Sequence, residues 1–189
     1  MRGGTATETR IKEAALRLFV ERGVDAVSVR DITTAAEIRP STLYVHWPSR
    51  DALVAELFTS GFAAYAASLA AVAAEPGSFR DRLAALVRRV CALYGEDPLL
   101  FQFLLLSQHQ NLRGIPADDS NPIEILQRVV AAAMAEGEIG QGDPALLTAA
   151  IVGIVVQIAT FRHYGRIAPD LAQLSDQVVA LCLKLVAVA

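Results

Sequence analysis

Charge is scarce in this chain: Asp, Glu, Lys and Arg make up 20% of the 189 residues, against 53% hydrophobic residues. So apolar a composition excludes a disordered segment and exceeds what an ordinary soluble domain carries. One protomer core does not need that much apolar surface, so a buried subunit interface is expected. Cysteine is nearly absent. Cys91 and Cys182 stand far apart in apolar runs with no CxxC spacing, which excludes a disulfide framework and a thiolate metal site and fits reduced thiols in a cytoplasm. The three histidines form no HExxH or other metal pattern, and neither GxSxG nor a glycine-rich phosphate loop occurs. No catalytic residue, metal or cofactor is expected. The start, Met1-Arg-Gly-Gly-Thr-Ala-Thr-Glu8, lacks the apolar core of a signal peptide.

One uncharged run invites a membrane reading. Ala145 to Phe161 is 17 residues long, while a spanning helix wants about 20. Thr148, Gln157 and Thr160 interrupt it, and Pro144 and Arg162-His163-Tyr164 bound it without aromatic belts. A helix buried between subunits is the expectation, with no membrane partner.

What is present is helix after helix, with no strand alternation and no repeat. Residues 1–6 read as an arm, with Thr5 or Thr7 capping a helix whose Ile11, Ala14, Ala15, Leu18 and Phe19 recur at helical spacing until Gly23. A long helix from Ser49 to Ala74 measures about 39 Å at 1.5 Å per residue. Ser78, Asp97-Pro98, Asn121-Pro122 and Asp143-Pro144 start the next four helices, and Asp170 the last. Asn111 to Ser120 is the clearest loop. The expected class is all-α.

Residues 28–50 hold the most specific pattern. Ser28 with Asp31 is a capping-box-like start, and Val29, Ile32 and Ala36 give an apolar stripe. Glu37-Ile38-Arg39 makes a turn, Pro40 takes a first helical position, and Ser41 to His46 form a second short helix that Pro48 stops. Two short helices around a tight turn are a helix-turn-helix, the unit that lays one helix in the major groove of DNA. Charge agrees: residues 1–50 hold eight Arg/Lys against six Asp/Glu, and residues 51–189 nine against fourteen, so the acidic bulk sits away from phosphate.

These residues resemble the tetracycline-repressor (TetR) family of bacterial one-component regulators. The resemblance rests on Ala14-Ala-Leu-Arg-Leu-Phe-Val-Glu-Arg-Gly23, Ser28-Val-Arg-Asp-Ile32, and Thr42-Leu-Tyr-Val-His46 with Ser49-Arg50. Glu37 stands where the family usually has glycine, and Arg39 where it often has a serine cap. The resemblance implies a three-helix DNA-binding domain over 1–50 and a larger helical ligand-binding and dimerisation domain over 51–189. By it, Ser28 and Arg30 hold phosphate or an outer base. Pro40, Ser41 and Thr42 sit near base edges, Tyr44 and His46 reach phosphates or bases, Val45 makes van der Waals contact only, and Arg50 meets a phosphate. Leu43 and Trp47 match the buried stripe instead.

Ligand candidates are aromatics and polar groups on helices expected around a cavity. Phe62, Tyr65, Tyr94, Phe101, Met134 and Phe161 supply apolar wall, as does Phe103; Gln102, Gln108, His109, Arg113, Gln157, Arg162 and His163 supply polar anchors. For the dimer, Leu174, Val178, Leu181 and Leu185 continue a seam begun at Leu171, and Ile151, Val155 and Ile158 form a row on the helix before it. The resulting expectation is a homodimeric regulator with operator DNA, itself and a small-molecule effector as partners. The alternatives are an activator, or a helical interaction protein without an effector.

Overall fold

The computed structural model describes residues 2–111 and 115–188, without the side chains of 2–5, 109, 110 and 188. Among them are nine α-helices, one 3-10 turn and no strand, as the absence of alternation predicts. The helices are α1 (Arg2–Arg22), α2 (Val29–Ala35), α3 (Pro40–His46), α4 (Arg50–Ala73), α5 (Phe79–Glu96), α6 (Pro98–Asn111), α7 (Pro122–Ala135), α8 (Pro144–His163) and α9 (Leu171–Val188), with the 3-10 turn at Val24–Ala26. The chain forms two compact units. The first joins Met1–Gly61 to Leu99–Gly114; the second joins Phe62–Pro98 to Ile115–Ala189.

Most starts follow from local chemistry. Ser28 and Ser78 each close a full capping box, with Asp31 and Asp81, and Asn121 and Asp143 accept from the backbone two residues on. Proline occupies the first turn of α3, α7 and α8, where its missing N–H costs nothing. The start of α1 differs from the sequence expectation: helix begins at Arg2, so residues 2–6 are not an arm. Once a helix is nucleated, each added residue gains a hydrogen bond, and here that outweighs Gly3 and Gly4. In the expected loop, Asn111 still belongs to α6.

In the first unit, Ile11, Ala15 and Phe19 of α1 are buried with Ile32 of α2, Leu43 of α3 and Leu53, Leu57 and Phe58 of α4. Residues from α6 complete this core. Phe103 is 1% exposed, stacks on Phe19 at 5.7 Å between centroids and meets Phe58 edge-on at 6.5 Å. A Cβ on Gly61 would lie 2.8 Å from Leu100 Cδ1, so α4 and α6 approach closely there, and a side chain at this position would require the end of Leu100 to move.

The α2–α3 turn is strained. Glu37 has φ 53°, its N–H donates to Thr34 O, and Ile38 N–H donates to Thr33 O. These two bonds end α2 in a Schellman arrangement, whose left-handed residue is usually glycine. Glu37→Gly is expected to stabilise the chain by about 1 kcal/mol, raising the melting temperature by about 2–4 °C in calorimetry. An unchanged melt would mean that the turn carries no strain.

The second unit packs α5 on α9, α7 on α8 and α8 on α9. Phe79, Leu83, Val130, Ile151 and Leu171 are buried there. Glu138 reaches back to the start of α5, accepting from Phe79 N at 2.6 Å and Arg82 Nη2 at 3.0 Å. Cys91 and Cys182 are free and buried in this core, and burial pushes each thiol up to about 11, so both stay protonated and unreactive. Both α4 and α8 are long and apolar enough to cross a bilayer by composition. Leu147, Thr148, Ile151, Val155 and Ala159 of α8 are nevertheless seated in the protein core.

Candidate nucleic-acid interface

Two buried side chains set the orientation of α3. Leu43 is 0% and Trp47 3% exposed, as their spacing predicts, so the opposite side of the helix faces outward. That side carries Pro40, Ser41, Tyr44 and Val45, all exposed, with Thr42 and His46 half-buried. Val45 is 81% and Tyr44 52% exposed. Arg39, the N-cap of α3, makes no capping bond and is exposed beside this surface, as is Arg30.

A polar network fixes α3 to its neighbours. Trp47 Nε1 donates to Glu56 Oε2 at 2.7 Å, and Glu56 Oε1 pairs with Lys12 Nζ at 2.8 Å. Lys12 also pairs with Glu8 at 2.7 Å and lies 5.7 Å from the Trp47 ring centre, within cation–π range. Its hydrogen bond to Lys12, and secondarily that from Trp47, hold the Glu56 carboxyl below its ordinary range although burial opposes this. Burial opposes the Lys12 ammonium too, yet its bonds to Glu56 and Glu8 raise its pKa. The signs fix a window. The Glu56 contribution is present above its ordinary value of 4.5 and disappears as pH falls through the lowered value. The Lys12 contribution is present below 10.5 and disappears as pH rises through the raised one. The network is intact across neutral pH.

Two of the proposed DNA contacts have structural bonds of their own. Ser28 Oγ accepts from Asp31 N at 3.2 Å and donates to the Asp31 carboxylate, and these bonds with Ser28 hold that carboxyl low. Arg50 Nη1 donates to the carbonyls of Val24 and Val27 at 2.9 and 3.0 Å, while its Nη2 bonds Asp51 at 2.9 Å. The guanidinium therefore braces the segment between α1 and α2.

The ligand candidates divide between the units. Phe101, Gln102 and Gln108 belong to the first; Phe62, Tyr65, Tyr94, Met134, Gln157, Phe161 and Arg162 belong to the second. Phe101, Tyr94 and Met134 are buried, and burial raises the Tyr65 hydroxyl pKa above the usual range. Gln108 Nε2 donates to Leu105 O at 3.1 Å, and Arg162 pairs with Asp170 at 2.6 Å. Arg113 and the His109 side chain lie outside the described residues. Gln157 and Phe161 are corrected: both are exposed, Phe161 by 46%. The buried row Ile151, Val155, Ala159 runs along the other side of α8, so neither lines an interior cavity of the second unit.

The interface candidates need a similar correction. Ile151, Val155 and Val178 are buried within their own protomer and cannot form an outer seam. Ile158, Leu174 and Leu185 are half-buried, and Leu181 is exposed. The outward row of α8 is Leu146, Ala150, Gly153, Gln157, Phe161 and Tyr164, all exposed. Sequence reasoning missed Leu146 and Tyr164, although their spacings of three and four to the rest of this row carry the signal. It also missed the Lys12–Glu56–Trp47 network, which no local spacing announces. Among the described residues, no group of three or more His, Cys, Asp or Glu is placed to hold a metal.

A known family pattern falls on the same segment. The pattern of "Bacterial regulatory proteins, tetR family" matches residues 11–57. An uncharacterized HTH-type transcriptional regulator of Mycobacterium tuberculosis is 29% identical over 104 residues, which is 55% of this chain and 49% of that protein. The chain thus spans about half the length of that relative. The HTH-type transcriptional repressor KstR2 of Rhodococcus jostii is 40% identical over 55 residues, covering 29% of this chain and 27% of that one. The fold is shared more widely. The transcriptional regulator FadR of Bacillus subtilis, solved in complex with stearoyl-CoA, superposes with a TM-score of 0.74 at 20% identity, covering 95% of this chain and 98% of that one. The helix-turn-helix thus lies inside a segment that is similar to the tetR family of bacterial regulatory proteins, and the all-helical fold is shared with FadR of Bacillus subtilis.

Proposed function

We propose that the chain acts as a cytoplasmic homodimeric repressor that binds a palindromic operator through α3 and is released by a small, largely apolar effector. The observation that carries the DNA reading is the outward side of α3, where Ser41, Tyr44 and Val45 stand exposed while Leu43 and Trp47 anchor the helix from behind. Two copies related by a twofold axis would meet half-sites about 34–36 Å apart, or a multiple of that. Ser28 and Arg30 remain proposed phosphate or outer-base contacts, Pro40, Ser41 and Thr42 base-edge contacts, Tyr44 and His46 phosphate or base contacts, and Arg50 a phosphate contact. The dimer reading rests on the exposed apolar row of α8 and on Leu181 of α9; a surface this apolar is what subunit interfaces cover.

Tyr44→Ala is expected to weaken operator binding by about 1–3 kcal/mol and leave the melting temperature unchanged, since Tyr44 is half-exposed. A gel-shift series on duplexes from the chain's own upstream region measures this. Equal binding of both proteins to operator and random DNA would remove Tyr44 from the interface.

The effector reading is supported by the abundance of buried aromatic and aliphatic residues and by the acyl thioester bound to the Bacillus subtilis neighbour of the same fold. An apolar compound with an anionic head is the proposed class, Arg113 or Arg162 being the proposed cationic partner of that head. Because α4 contributes residues to both units, a ligand that shifts this helix acts on α3 through continuous chain. A hundredfold preference for the DNA-free state corresponds to about 2.7 kcal/mol, and operator must weaken ligand binding by the same factor. Calorimetric titration of stearoyl-CoA into free and operator-bound protein tests this. Identical affinities in the two titrations would mean that this acyl thioester is no inducer.

A further inference from the structure

The outer ridge of α3 is unusual in what it omits. Between Pro40 and Trp47 there is no Arg, Lys, Asn or Gln, the side chains that read guanine and adenine through paired hydrogen bonds. At about 100° of turn per residue, Ser41 and Val45 lie one turn apart on the side opposite Leu43. Leu43 is wholly buried, so these two residues form the most outward line of the helix. Val45 is the most exposed large apolar side chain among the described residues. Tyr44 flanks the line on one side and Thr42 on the other, while the exposed Arg30 and Arg39 lie off it, where their charge suits phosphate.

A branched apolar side chain held outward at the centre of such a helix has one favourable partner on a base edge. Among the groups presented in the major groove, only the thymine C5 methyl is apolar. We propose that Val45 reads a thymine methyl in each operator half-site, with Ser41 one turn away supplying the neighbouring polar contact. The base pair beneath the middle of α3 is therefore A·T, identified by its methyl group. This deepens the operator reading above and rests on it.

The test starts from duplexes enriched out of a random library by the purified full chain. In the best duplex each thymine is replaced singly, in both half-sites, by uracil, which pairs identically and lacks the C5 methyl. One position is expected at which the loss weakens wild-type binding by about fourfold per half-site, the value of one buried methyl-sized group. Val45→Ala, an exposed change to a better helix former, is expected to bind the thymine and uracil duplexes equally. A uracil series that is neutral throughout, or a penalty that persists in Val45→Ala, overturns the inference and leaves the operator reading standing. A library that yields no enriched duplex overturns the operator reading, and this inference with it.

Discussion

Leu181→Asp is expected to give a folded monomer that has lost operator binding by a factor of about 10²–10⁴, the gain that joining two half-site contacts provides. Leu181 is 47% exposed on α9, so a carboxylate there is solvated in the isolated protomer and buried unpaired only when a partner covers it. Val178→Asp, three residues earlier, is the contrast. Val178 is 2% exposed, and a charge there unfolds the second unit before assembly is in question. Light scattering, circular dichroism and a gel shift on the same samples separate the two outcomes. A Leu181→Asp protein that stays dimeric at micromolar concentration would place the interface elsewhere.

Phe103→Ala is expected to destabilise the first unit by about 3–5 kcal/mol, a large share of the about 5–15 kcal/mol that holds a domain together. The residue lies far from the helix-turn-helix in sequence, yet its ring fills the space between Phe19 and Phe58. DNA binding should therefore fail at temperatures where the wild-type chain still binds, and a fragment of residues 1–61, which lacks α6, should be poorly folded. Chemical denaturation followed by a probe in the first unit measures the loss. A midpoint equal to that of the wild type would show that α6 does not support the DNA-binding head.

The limits of the sequence reading have physical causes. Helix starts were legible where a side chain caps the backbone, as Ser28, Ser78, Asn121 and Asp143 do, because the cue is local. The short pattern Thr42-Leu-Tyr-Val-His46 was legible because Leu43 and Trp47 share one face, which is buried, and leave Ser41, Tyr44 and Val45 on the other. In α8 no such contrast exists: apolar residues occur all round, so the row holding Ile151 and Val155 and the row holding Leu146 and Phe161 look equally fit to be buried. Only the positions of α7 and α9 decide between them. The three-ring contact in the first unit joins α1, α4 and α6, and periodicity within one helix says nothing about which distant helix it meets. For the same reason the ligand candidates could be named as residue types but not gathered into a site.

Trp47 is the one tryptophan of the chain, buried at 3% where α3 ends, with its indole N–H held by Glu56. Intrinsic fluorescence excited at the indole band therefore reports a single position. Its emission should be blue-shifted while the first unit is folded and move to the red when that unit opens, whatever the second unit is doing. Far-ultraviolet dichroism sums both units, since helix fills each of them. Following the two signals through one melt separates the unfolding of the first unit from that of the second, with no label or engineered probe.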